Sequence, residues 1–375
     1  MKLKFILYAF LVLLVASCST EVELNAPYLK TSIVLGLLDP AADTQWVKIN
    51  KTFLGEGNNL DYATIRDSSE YEEGEFVATI QEWNDGDLVN TLTLESIELS
   101  NKEGNGIFYG PEQTVYFVST PSGLNEESIY RLNIDFVDKV DVFAETDLVR
   151  AQDLIITQPQ QDNTILMAQE GAGLNFTYKE SVKIRWLAAE NVVRYDVTIR
   201  FHYTEQLWAD LEHTIPVGGP VAKYIDYSVG ELEVGTDVLT GSQQEIEFNG
   251  ESFFATIGSK IPVNAYVTRQ VGYFDNFTTR ALDFRIAMAN EELNTYMNVS
   301  DPVTGIVQER PSYTNLANGI GLFASRSLKQ LQNVPFRAAG AQNQNANFKA
   351  LIYGNYTKFH NFCDPNPANT EYSCD

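Results

Sequence analysis

One run of eleven residues constrains the fold of this chain more than any other. Val193, Tyr195, Val197, Ile199, Phe201 and Tyr203 alternate with Arg194, Asp196, Thr198, Arg200 and His202. A period of two sends successive side chains to opposite faces of extended backbone, so one face is apolar and the other wet. A helix would scatter the same residues around its circumference. The run therefore requires a strand in a sheet with one buried face.

The same signature recurs along the chain. Val182, Ile184 and Trp186 alternate with Lys183 and Arg185, and Tyr130, Leu132, Ile134 and Phe136 with Arg131, Asn133 and Asp135. Thr31–Leu38, Gln45–Lys51, Gly106–Tyr109, Thr114–Val118, Leu282–Met288 and Ala350–Tyr353 also read as strands. Phe76–Ile80 and Leu88–Leu94 flank Asn84-Asp85-Gly86-Asp87, where Asp-Gly supplies the positive φ of a tight hairpin. Gly55–Glu75 is polar and reads as a long loop, and Ala338–Asn347 is low in complexity. The period changes once. Asn290 can cap a helix, Glu291 and Glu292 suit its positive end, and Leu293, Tyr296 and Met297 share a face, so a helix is predicted over 290–299, ending before Asp301-Pro302.

At 375 residues, with 44% hydrophobic residues, 19 Tyr and 21 Phe, the chain can bury two β-rich cores. The expected class is all-β: two antiparallel β-sandwich modules of immunoglobulin and fibronectin III type, with one short helix in the second. They are placed at 31–157 and 163–360, with Thr157–Asp162 as a polar linker.

The first residues carry an address. Lys2 and Lys4 precede an uncharged apolar run from Phe5 to Val15, too short to cross a bilayer, and Val15-Ala16-Ser17-Cys18 follows. This is a secretory signal over 1–17 whose end resembles a bacterial lipobox. Cys18 would then be acylated, 18–30 would be a tether, and the protein would sit at the outer membrane. Glu21 and Glu23 resemble a surface-export signal but equally suit a solvated tether. The formal net charge of −24 becomes −26 once Lys2 and Lys4 leave with the leader. A body of that sign repels nucleic acid and anionic lipid surfaces, so the membrane is expected as a partner through the lipid anchor alone.

Two cysteines remain, Cys363 and Cys374, close together in a compartment that favours disulfides. Their pairing is the natural reading of the 361–375 tail. Zinc would enlist His360 and still lack a fourth ligand. The other histidines lack ligand spacing: His202 falls on the polar side of its strand, and His213 lies in a turn-like context. No H-E-x-x-H and no G-x-S-x-G occurs. Gly55-Glu56-Gly57 has a glutamate where a phosphate loop needs positive charge. Glu70-Tyr71-Glu72-Glu73-Gly74-Glu75 could hold Ca²⁺ but reads as a solvated acidic loop, since it lacks the spaced oxygens of an EF-hand. Trp83, Trp208, Tyr71 and Tyr273 stand in polar surroundings where aromatics stack on sugars, although most aromatics of a β protein are core.

One further stretch is distinctive. Tyr313-Thr314-Asn315-Leu316 precedes Asn318-Gly319-Ile320-Gly321-Leu322-Phe323, and its two glycines suggest backbone that turns sharply or passes close to another element. Together with Cys18 and its acidic follow-on, the 76–94 hairpin and the Val182–Trp186 and Val193–Tyr203 strands, it resembles the DUF4249-type lipoproteins of the Bacteroidetes. The resemblance extends to about Ser327 and not to the tail with Cys363 and Cys374. It implies an outer-membrane lipoprotein, often found beside TonB-dependent transporters, with no established activity and no catalytic residues or cofactor to carry over. The expected function is thus non-enzymatic binding, of an outer-membrane receptor or of an extracellular glycan or peptide. A carbohydrate-active hydrolase and an envelope adhesin are the alternatives.

Overall fold

The computed structural model describes residues 30–54, 58–102, 106–173, 175–272, 280–300, 312–337, 346–364 and 374. The expectations for the leader, for Cys18 and for Tyr273 lie outside the described residues. Nineteen strands are present among them: β1 (Ser32–Leu38), β2 (Thr44–Lys51), β3 (Phe76–Asn84), β4 (Asp87–Thr93), β5 (Glu95–Leu99), β6 (Gln113–Ser119), β7 (Ile129–Phe136), β8 (Val142–Asp147), β9 (Ile155–Gln158), β10 (Ala168–Glu170), β11 (Phe176–Tyr178), β12 (Val182–Leu187), β13 (Arg194–Leu207), β14 (Val221–Glu233), β15 (Gln243–Phe248), β16 (Val267–Val271), β17 (Arg280–Ala289), β18 (Gly319–Pro335) and β19 (Phe362–Cys363).

The all-β class holds. β13 keeps the predicted phase, with Tyr195, Val197, Ile199 and Phe201 buried, and it pairs with β14 on one side and with β17 and then β16 on the other. Against this layer β9, β12 and β15 form a second sheet, and Trp186, Phe253 and Phe284 fill the space between them. In the first module β4-β3-β7-β8 faces β1-β2-β6-β5 across Val34, Val47, Ile80, Leu132 and Ile134.

β18 ties the two together. Its residues Gly319–Ser325 run parallel to β1, and Arg326–Ala289 begins an antiparallel ladder with β17. One ten-stranded sheet therefore runs through both modules. Leu316 and Phe323, which the sequence groups with the second module, pack in the first core. Likewise Thr157 and Gln158 are no linker, because β9 pairs with β12 inside the second module.

The helix Glu291–Ser300 forms where predicted, with Asn290 Oδ1 accepting from Leu293 N at 3.3 Å. It is not alone. Asn59–Ala63 and Arg66–Ser69 are short helices within the stretch read as a loop, and Gly250–Lys260 is capped by the Asn249 side chain. Ala350–Tyr353 belongs to a helix, Ala346–Tyr353, rather than to a closing strand. A four-residue apolar run fits either period, and here Asn347 and Leu351, one turn apart, are both buried. Gly106–Tyr109 bends without pairing. Cys363 and Cys374 are bonded, with Cα atoms 4.9 Å apart, which holds Cys374 beside β19.

Candidate functional site

The outer face of the long sheet is the least expected surface of the molecule. Register places Ile320 beside Ile33, Leu35 beside Lys48, Trp46 beside Phe117 and Val115 beside Ile97, all on the side away from the first core. Ile33, Leu35 and Ile320 are exposed, and Trp46 is 45% exposed with its ring 5.4 Å from that of Phe117. In β2 the inward phase is Gln45, Val47 and Ile49, so alternation leaves the indole outside. Gln45 tolerates burial because its side chain bonds the Asp39 backbone at both ends and reaches Thr120 Oγ1.

This face continues into a groove of about 520 Å³ beneath the helix Glu291–Ser300. Leu293 and Met297 form its roof, with Leu37, Ala287 and Leu328 beneath them and Asp39, Asp196, Arg285 and Arg326 around them. Asn290 sets the helix in place. It is buried, and its amide donates to Thr146 Oγ1 at 2.8 Å and to Asp147 O at 3.1 Å while Oδ1 accepts from Ser325 N at 3.2 Å. At the start of the helix, burial raises the carboxyl of Glu292 above its usual range, and Asp147 and Glu291 add to the effect. Asp147 is likewise raised by burial and by Glu145. Beyond the groove, the buried Arg194 guanidinium binds Asp196, Glu231 and Glu233.

A larger cleft, about 640 Å³, opens at the edge of the first sandwich between Thr93, Ser96, Glu98, Tyr71, Phe76 and Tyr116. Its polar wall is already occupied. β2 and β6 stop pairing after Val47 and Tyr116, and the Glu70 carboxylate takes the place of the missing strand, accepting from Thr114 N and Oγ1, Arg66 Nε and Lys48 Nζ. Burial works against the charge on Glu70, but these donors outweigh it and hold the carboxyl below its usual range. The expectation of a solvated loop holds for Glu72 and Glu73, which are exposed, and fails for Glu70, which is buried, and for Glu75, which is spent on Lys30 and Lys51. No group of three metal-ligating side chains gathers among the described residues.

Tyr71 presents no open face to a sugar. Its ring meets Phe76 and Phe136, and the Lys30, Lys51 and Lys139 amines lie within 5.0–5.3 Å of its centroid. Lys139 Nζ donates to Ser32 Oγ and to Tyr71 OH at 2.6 Å, a grouping that sequence reasoning missed because its members are distant in the chain. Burial and the neighbouring Lys30 lower Lys139 to about 8. A lysine beside a serine is the composition of a nucleophile and its base, but Ser32 is fully buried, which seals its Oγ from substrate. Trp83 is covered by the Arg131 guanidinium, 4.4 Å from its ring, and Trp208 donates to Thr268 Oγ1 in the other module. Tyr71, Trp83 and Trp208 do not converge.

The histidines are structural. His202 is not the solvated residue expected: β17 lies alongside, and Asp283 Oδ2 sits 2.7 Å from its Nε2. His360 is buried, with its ring nitrogens facing Thr357 O and Ile261 O. His213 touches Ala265 O at the surface.

The Tyr313–Phe323 stretch sits where β18 meets the first module. Asn315 donates to Phe323 O and accepts from Phe323 N, and Asn318, with φ near 60°, donates to Asp141 O. Gly319 packs against Val142, Gly321 passes Val34, and Phe323 lies under Gly36. Burial and the nearby Glu292 and Glu291 raise the Tyr313 hydroxyl above its usual range.

No family model and no curated protein matches this chain. Among solved structures, it is similar to the C-terminal globular domain of an oligosaccharyltransferase from Pyrococcus abyssi at 13% identity. That match covers 64% of this chain and 45% of the other at a TM-score of 0.23, a likeness too loose to decide fold or function.

Proposed function

We propose that this chain is a non-enzymatic envelope lipoprotein, held at the outer membrane through acylated Cys18, that acts as an accessory to an outer-membrane barrel of the TonB-dependent kind. The observation carrying this reading is the outer sheet face, where Leu35, Trp46 and Phe117 lead into the groove roofed by Leu293 and Met297. Exposed apolar side chains of this kind, with a tryptophan among them and charged residues around the groove, are the composition of a protein-binding site. The lysine-to-cysteine pattern of the first eighteen residues supports the anchor. A glycan or peptide ligand is a second reading, favoured by the 640 Å³ cleft beside Tyr116 and Glu98.

Two experiments test it. Cys18→Ala should release the protein from washed membranes or block its processing, and undiminished retention would contradict the anchor. Pull-down of the acylated protein from outer membranes should bring a barrel with it. Recovery of the protein alone would contradict the accessory role.

A further inference from the structure

The turn between β7 and β8 holds two of the most exposed apolar side chains in the described structure: Val137 is 81% exposed and Val140 68%. The turn is firmly built. Asp141 Oδ1 accepts from Phe136 N at 2.8 Å, and the Asn318 side chain holds Asp141 O at 2.9 Å. Lys139 folds back across the Phe136 ring, 3.8 Å from its centroid, to reach Ser32 and Tyr71. Its methylenes are thereby drawn inward, and the valines on either side stand out alone.

This turn lies where the chain arrives from Cys18. Lys139 Nζ also approaches Lys30 O at 3.4 Å, and Lys30 is twelve residues beyond Cys18. Twelve extended residues reach at most about 40 Å, so this end of the module is bound to stay near the anchored leaflet.

We propose that the Val137–Val140 turn is a bilayer-contacting tip, in which the two valines enter the interfacial layer of the leaflet that holds the acylated Cys18. This rests on the lipoprotein reading above. It gives the anchored protein a fixed orientation, with the first module against the membrane, rather than a body swinging on a tether.

Site-specific fluorescence tests it on the full acylated chain. Cys18 is acylated and Cys363 and Cys374 are bonded, so Val140→Cys supplies one reactive thiol for a polarity-sensitive dye, and Leu239→Cys, at a position 77% exposed in the second module, supplies the control. In vesicles of phosphatidylethanolamine with a minority of phosphatidylglycerol, dye emission at position 140 should shift to the blue while that at position 239 stays at its aqueous wavelength. Vesicle-bound protein with no shift at position 140, or with equal shifts at both, overturns the tip and leaves the anchor standing. Protein that fails to float with the vesicles overturns both.

Discussion

A Cβ placed on Gly321 would fall 1.9 Å from the carbonyl oxygen of Val34. Gly321 has φ near 122°, and at this point β18 lies parallel to β1, so neither strand can yield without breaking the ladder that joins the two modules. Gly321→Ala should therefore cost about 3 kcal/mol or more, read as a lower denaturation midpoint, because backbone strain and a backbone clash act together. A change within experimental error would mean that the close approach is not a constraint.

Asn290 makes a second demand. Asn290→Ala strips the cap from the helix Glu291–Ser300 and leaves Thr146 Oγ1 and Ser325 N buried without their partner. The expected loss is about 2–4 kcal/mol by chemical denaturation. Asn290→Asp keeps the acceptor and loses the two donors, so it should fall between wild type and Asn290→Ala.

Glu292 predicts a pH dependence of the opposite sign to ordinary acid denaturation. Burial raises its carboxyl in the folded chain, so the folded state holds the proton more tightly than the unfolded state does. Its contribution to stability is greatest below the unfolded value of about 4.3 and falls as the pH rises through the folded value. Glu292→Gln should raise the melting temperature at neutral pH, and the difference should close below about pH 4.

The Cys363–Cys374 bond closes a loop of 11 residues in sequence separation. Reduction should lower stability by about 3 kcal/mol on the chain-entropy account. The region that loosens first, read by amide exchange, should be β19 and its partner β16.

Much of this architecture is legible in the sequence because alternation states both the strand and its buried face, as Tyr195 to Phe201 do in β13. The Asn290 cap and the cysteine pair are legible for the same reason, being local. β18 is not. Nothing local in Gly319–Pro335 says that one strand serves two sheets, since that depends on register with β1 and β17. Glu70 is opaque too: an acidic run looks solvated until Thr114, Arg66 and Lys48 converge on it from elsewhere. The helix Gly250–Lys260 did leave a signal, Asn249 before Glu251 with Phe253, Phe254 and Ile257 at helical spacing, and a period-of-two reading passes over it. Trp46 was readable from its phase against Val47 and Ile49. Its significance emerges only once Leu35, Phe117 and the groove are seen on the same face.

The proposed role is tested most directly by co-purification of the full-length chain with an outer-membrane barrel, comparing wild type with Leu35→Ser/Trp46→Ser. Both side chains are exposed, so the variant should fold and stay anchored. The account predicts that the recovered barrel falls by more than about tenfold at unchanged membrane retention. Equal recovery with both proteins would contradict it.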